Sequence, residues 1–143
     1  MKAVIQRVKM AKLYVSDNLV SQIGAGLVVY LGVEKNDSMQ NAEYFAKKIA
    51  HMRIFEDENG KMNRSVIDIG GAILIVSQFT LLANCARGNR PDFTAAETPD
   101  KANALYQSTN SLLAGYGIDV KSGIFGAHMI IEQENDGPVT IIL

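Results

Sequence analysis

The order of apolar and polar positions changes rhythm several times along the chain, and each rhythm predicts an element. From Val4 to Lys9 the two kinds alternate imperfectly, the period-two pattern of a half-buried strand. Leu13 to Val15 and Leu19 to Ile23 flank the turn pair Asp17-Asn18, which predicts a hairpin. Gly24-Ala25-Gly26 interrupts the pattern. Leu27 to Val33 then runs apolar almost without a break, as a fully buried strand does. Past an N-cap at Asp37-Ser38 the period lengthens. Ala42, Phe45, Ala46, Ile49 and Ala50 recur at helical spacing and make one apolar stripe. Arg53-Ile54-Phe55 predicts a short extended piece, and residues 56–61 a turn around Asn59-Gly60.

After Gly70-Gly71, Ala72 to Val76 predicts a second buried strand that leads straight into Ser77-Gln78-Phe79-Thr80. Residues 84–92 read as a polar loop. A second helix starts with Thr98 as N-cap, Pro99 at the first helical position and Asp100 in the first turn. Its inward side is Ala102, Leu105, Tyr106, Thr109, Leu112 and Leu113, and Gly115 or Gly117 ends it. Ile118 to Lys121, Ala127 to Gln133 and Val139 to Leu143 supply the last strands. The order β-β-β-α-β-β-α-β-β-β predicts an α+β fold, a mainly antiparallel, barrel-like sheet with two helices, in one domain spanning residues 1–143.

One string breaks strand grammar: Asn135-Asp136-Gly137-Pro138-Val139-Thr140. Proline cannot donate to a sheet, and the bond before it adopts the cis form at modest cost. The string therefore predicts a backbone shape held for a purpose.

Composition narrows the class. The chain has 143 residues, enough for one real core. No apolar run reaches the roughly 18–20 residues needed to span a bilayer. Charges lie inside the apolar N-terminal stretch, which predicts no signal peptide. A single cysteine, Cys85, leaves no internal disulfide and fits a reducing, cytoplasmic setting. The net charge of −1 gives no general pull toward nucleic acid, so any RNA contact must rest on local basic clusters.

Few residues carry obvious chemistry. Ser77, Gln78 and Thr80 crowd polar groups at the end of an apolar strand, where hydroxyls either line a pocket or satisfy strand-end backbone groups. A hydroxyl nucleophile needs a base, and only His51 and His128 are available. No Gly-x-Ser-x-Gly elbow, dinucleotide fingerprint or metal-ligand spacing occurs. Arg87, Arg90, Lys2, Arg7, Lys9 and Lys12 are candidate phosphate contacts or a solvated face. Three readings remain open from the residues: an ester hydrolase, a non-catalytic binder of RNA ends, and a Ser/Thr hydrolase of another acyl ester.

Several strings in this order resemble the D-aminoacyl-tRNA deacylases. They include residues 3–8 (Ala-Val-Ile-Gln-Arg-Val), 31–35 (Leu-Gly-Val-Glu-Lys), 53–57 (Arg-Ile-Phe-Glu-Asp) and 76–81 (Val-Ser-Gln-Phe-Thr-Leu). Residues 48–50 (Lys-Ile-Ala), 60–63 (Gly-Lys-Met-Asn), 123–127 (Gly-Ile-Phe-Gly-Ala) and 135–140 (Asn-Asp-Gly-Pro-Val-Thr) complete the set. The resemblance implies a homodimer that acts on the aminoacylated 3′ end of tRNA, needs no cofactor or metal, and hydrolyses the ester of D-aminoacyl-tRNA. Glycyl-tRNA mischarged on alanine tRNA is a further implied substrate. It also implies a cis bond at Gly137-Pro138, with that pair reaching into the partner's pocket to exclude L-amino acids. Ser77, Gln78, Phe79, Thr80 and Met129 would line the pocket, Arg7 would hold the Gly-Pro loop, and N–H groups near Phe79 and Thr80 would bind the oxyanion. The chain departs from the family pattern in residues 82–92, where one positive charge is lost and one negative charge gained, and at His128, where an acidic residue is common.

Overall fold

One long strand, β1 (Lys2–Val15), organises the sheet. β2 (Asn18–Ile23) returns antiparallel against its second half, and β3 (Gly26–Gly32) runs antiparallel against its first half. The computed structural model describes all residues, 1–143. The β1–β2 turn is Ser16-Asp17, one residue earlier than the predicted pair. Both residues have positive φ (47° and 64°), as a hairpin turn matched to strand twist requires.

Helix α1 (Met39–His51) and two short strands, β4 (Phe55–Glu56) and β5 (Met62–Arg64), follow. Ser38 caps α1, its N–H donating to Asn41 Oδ1 at 2.9 Å. Asp37, predicted to share that role, is engaged elsewhere: its carboxylate takes the Glu34 N–H at 2.6 Å and the Met1 ammonium at 2.7 Å. β6 (Ala72–Ser77) lies parallel to β3, and β7 (Asp119–Ser122) parallel to β6. Between them come a 3-10 turn (Phe79–Leu82) and helix α2 (Pro99–Gly115).

The main path runs β2-β1-β3-β6-β7, with β8 (Ile130–Ile142) antiparallel on the outer side of β1. The path curls until its two ends meet, and Ser21 Oγ in β2 donates to the Ser122 carbonyl of β7 at 2.7 Å. The α+β class and barrel-like sheet therefore hold.

β3 and β6 are buried on both faces, which explains their unbroken apolar runs. Leu27, Val29, Leu31, Ile73 and Ile75 pack under the helices with Phe45, Ile49, Tyr106 and Leu113. Val28, Leu74 and Val76 point the other way, onto Val8, Leu13 and Ile23. The β3–β6 approach is close at Gly26, where a Cβ would fall deep inside the Ala72 carbonyl.

Two expectations need correction. The predicted strands Ala127–Gln133 and Val139–Leu143 are one strand that begins only at Ile130. Pro138 does not end it, because the ladder opens around it. Val8 pairs with Asn135 and Gln6 with Thr140, so Asp136 to Val139 together face Arg7 alone. A bulge of this kind accommodates a residue that cannot donate. The second correction is β5, which lies outside the predicted order and pairs with β4 across the Asn59-Gly60 turn.

Candidate active site

β6 delivers Ser77 to the mouth of a cleft of about 360 Å³. Its walls are Val33, just past β3; Ala96, Glu97, Pro99 and Ala102, at the start of α2; and Phe125, Gly126, Ala127 and Met129. Phe79 closes one side, with its ring 5.0 Å from that of Phe93 in an edge-on contact. Pairing across the chain fixes these segments. The Gln78 N–H donates to the Leu31 carbonyl at 2.8 Å, and the Glu97 N–H to the Val33 carbonyl at 3.0 Å.

The 3-10 turn then leaves donors free. The N–H groups of Phe79 and Thr80 make no hydrogen bond within the chain, as expected at the start of a helical turn. Thr80 is exposed, and its hydroxyl oxygen accepts a hydrogen bond from the Gln78 side-chain amide. No acidic or imidazole group bonds to it. His128 is exposed and does not line the cleft. His51 is also exposed, at the end of α1, with Nδ1 2.9 Å from the Lys47 carbonyl and its ring edge-on to Tyr116. Glu97 is the one acid in the cleft. Its Oε1 accepts the Thr98 N–H at 2.8 Å, and that bond holds its carboxyl below the usual range. Glu97 is thus anionic at neutral pH and a poor proton donor.

A second constellation lies outside the cleft. The Gly137-Pro138 bond is cis, and both residues are exposed. Arg7, only 6% exposed, supports them from below. Its Nη1 donates to the Ile54 carbonyl at 2.7 Å, and its Nε lies 3.1 Å from both the Asp136 carbonyl and Asp136 Oδ2. Gly137 has φ +131°, and a Cβ there would sit 2.7 Å from Val139 N and 2.8 Å from Val139 Cγ2.

The sequence-derived site residues thus fall into two groups. Ser77, Phe79 and Met129 share the cleft, with Gln78 and Thr80 on the same turn. Arg7, Gly137 and Pro138 share the bulge and line no part of that cleft. Sequence reasoning missed the far wall. Val33, Ala96, Pro99 and Ala102 are plain apolar residues from separate segments. Val33 lay in the quoted string 31–35, and Phe125, Gly126 and Ala127 in the string 123–127, but neither string was read as a cleft wall. No three His, Cys, Asp or Glu side chains gather where they would hold a metal ion, and no helix is long and apolar enough to cross a membrane.

Known proteins resemble this chain over nearly its whole length. The family model described as D-Tyr-tRNA(Tyr) deacylase matches residues 4–143. A D-aminoacyl-tRNA deacylase of Thermus aquaticus is 53% identical over 143 residues, which cover 100% of this chain and 94% of that one. The Deinococcus radiodurans deacylase is 52% identical, with 100% and 99% covered. Among solved structures, one titled c-Myc DNA Unwinding Element Binding Protein superposes with a TM-score of 0.93 at 42% identity, covering 100% of this chain and 97% of that one. A probable eukaryotic D-amino acid tRNA deacylase shares the fold, with a TM-score of 0.83 at 20% identity, over 99% and 97% of the two chains. With a match that spans both constellations and nearly the whole length, the chain belongs to the D-aminoacyl-tRNA deacylases, a family of hydrolases.

Proposed function

We propose that two copies of this chain form a homodimer in which each Gly137-Pro138 turn enters the other's cleft, and that the pair hydrolyses the ester of D-aminoacyl-tRNA. The observation that carries this reading is the separation of the two constellations. The cleft has substrate walls and free donors but no stereochemical gate, while the turn is exposed, pinned by Arg7 and absent from its own chain's cleft. Association is favoured by β8, whose outer edge pairs with no strand and whose Ile130 and Ile142 are 50% and 78% exposed.

In this reading the apolar walls take the terminal adenosine, a flat base suited to Phe125, Met129 and Ala102. The ester carbonyl lies over the 3-10 turn, where the Phe79 and Thr80 N–H groups stabilise the oxyanion as water attacks. An aminoacyl ester is already activated, so positioning substitutes for a strong base, and the ribose 2′-hydroxyl helps to orient the water. The turn's backbone lies against the substrate's α-carbon. An L side chain would strike it, a D side chain points away, and glycine has none, so glycyl-tRNA mischarged on alanine tRNA also passes. Such proofreading belongs in the cytoplasm, where tRNA is charged.

Kinetics on D- and L-tyrosyl-tRNA test the reading. Rapid release of D-tyrosine with the L-ester untouched is expected, and equal cleavage of both would sink the chiral mechanism. Thr80→Val tests the chemistry. With no base beside the hydroxyl, the variant keeps activity within about tenfold of the parent. A loss of several thousandfold, with a trapped acyl-enzyme in the parent, would instead make Thr80 a nucleophile.

A further inference from the structure

Resting on that functional reading, we propose that Arg87 and Arg90 grip the phosphodiester backbone of the single-stranded 3′ end of the tRNA, next to the esterified nucleotide. The two arginines ride on a loop that is tied to the cleft at both ends. It leaves directly from the 3-10 turn that carries Phe79 and Thr80. A reciprocal backbone pair then closes its base, Asn84 N–H to the Asp92 carbonyl at 2.8 Å and Asp92 N–H to the Asn84 carbonyl at 2.9 Å. The returning chain places Phe93 against Phe79. Residues 85–91 therefore project no more than roughly 12 Å beyond that base. The tip stays near the ester and cannot reach far along the acceptor stem.

Both arginines are exposed, and neither makes an ion pair or a hydrogen bond within the chain. The acid in the loop does not neutralise them. Asp92 Oδ1 accepts the Thr94 N–H at 2.7 Å, and Oδ2 accepts the Thr94 hydroxyl at 3.2 Å. In a chain of net charge −1, two unpaired guanidinium groups beside the cleft are a local exception. Their planar forks suit phosphate oxygens better than ammonium groups do.

The test compares two substrates, D-tyrosyl-tRNA and 3′-O-(D-tyrosyl)adenosine, which lacks the phosphodiesters. The Arg87→Gln/Arg90→Gln double variant is expected to raise KM for the tRNA about tenfold or more with kcat within about twofold. It should leave the nucleoside ester unaffected. The slope of log(kcat/KM) against log salt should flatten by about 1.4, from about 0.7 per phosphate contact on a single strand. An unchanged KM and slope on tRNA, or equal losses on both substrates, would overturn the proposal. If the parent cleaves neither substrate, the functional reading fails. The arginine proposal is then decided by fluorescence anisotropy on a short RNA ending in CCA, which the double variant should bind about tenfold more weakly and which equal binding would refute.

Discussion

Gly137→Ala is expected to lose about a hundredfold or more of its activity on D-tyrosyl-tRNA while the protein stays folded. The reasons are local. At φ +131° an L side chain is strained, and the added Cβ would stand 2.7 Å from the Val139 backbone nitrogen and 3.4 Å from Arg7 Nη2. The first neighbour is backbone, so the bulge must shift. The Val139 Cγ2 methyl would also lie only 2.8 Å away, whereas 3.4 Å to Arg7 Nη2 is ordinary contact. A turn displaced by about 1 Å is enough to cost that much rate where geometry does the selecting. The strain itself is on the order of 1–3 kcal/mol, in an exposed turn that contributes little to the core. Thermal melting should therefore still show a cooperative transition, lowered by roughly 3–10 °C, while the D-ester assay collapses. Near-parental turnover in a folded Gly137→Ala protein would remove the turn from the mechanism.

Much of this arrangement was legible in the sequence, and the rest was not for identifiable reasons. The apolar runs Leu27–Val33 and Ala72–Val76 announced strands buried on both faces, and they are. Their parallel pairing left no local trace, because burial on both faces looks the same whichever way a neighbour runs. Pro138 suggested a break between two strands. It proved to be a bulge within one, since whether four residues can oppose one depends on Arg7 across the ladder. The helix caps were found to within a residue, but Asp37 was drawn to the Met1 ammonium, a contact between segments 36 positions apart. The string Ser77 to Thr80 marked one wall of the cleft by its polar crowding. Val33, Ala96 and Ala102 carry no such mark, and only the fold brings them together.

Arg7→Ala should lower stability and activity together, through lost bonds and not through backbone strain as in Gly137→Ala. The substitution leaves the Ile54 carbonyl unpaired in the interior and the Asp136 carboxylate without its cation. The carboxylate is 42% exposed, so water recovers part of that loss, and most of the cost comes from the buried acceptor. Together these are worth about 2–3 kcal/mol, or roughly a 10 °C fall in melting temperature. Arg7→Lys should recover some stability and little activity, since one ammonium cannot serve the Ile54 and Asp136 carbonyls as a fork does. Destabilisation alone does not establish that Arg7 acts through the turn, but mixed dimers separate the two roles. Ala102→Trp fills the cleft yet leaves the bulge intact. In a mixed dimer the open cleft of the Arg7→Ala chain receives the sound turn of the Ala102→Trp chain. Each variant alone should be nearly inactive on D-tyrosyl-tRNA. Refolded together in equal amounts, they should regain about a quarter of parental activity, because half the dimers are mixed and each has one complete site. If the turn served its own chain's cleft, no mixed dimer would have a complete site. The absence of any recovery, with mixed dimers demonstrated by mass, would therefore place the turn in cis and refute its exchange between subunits.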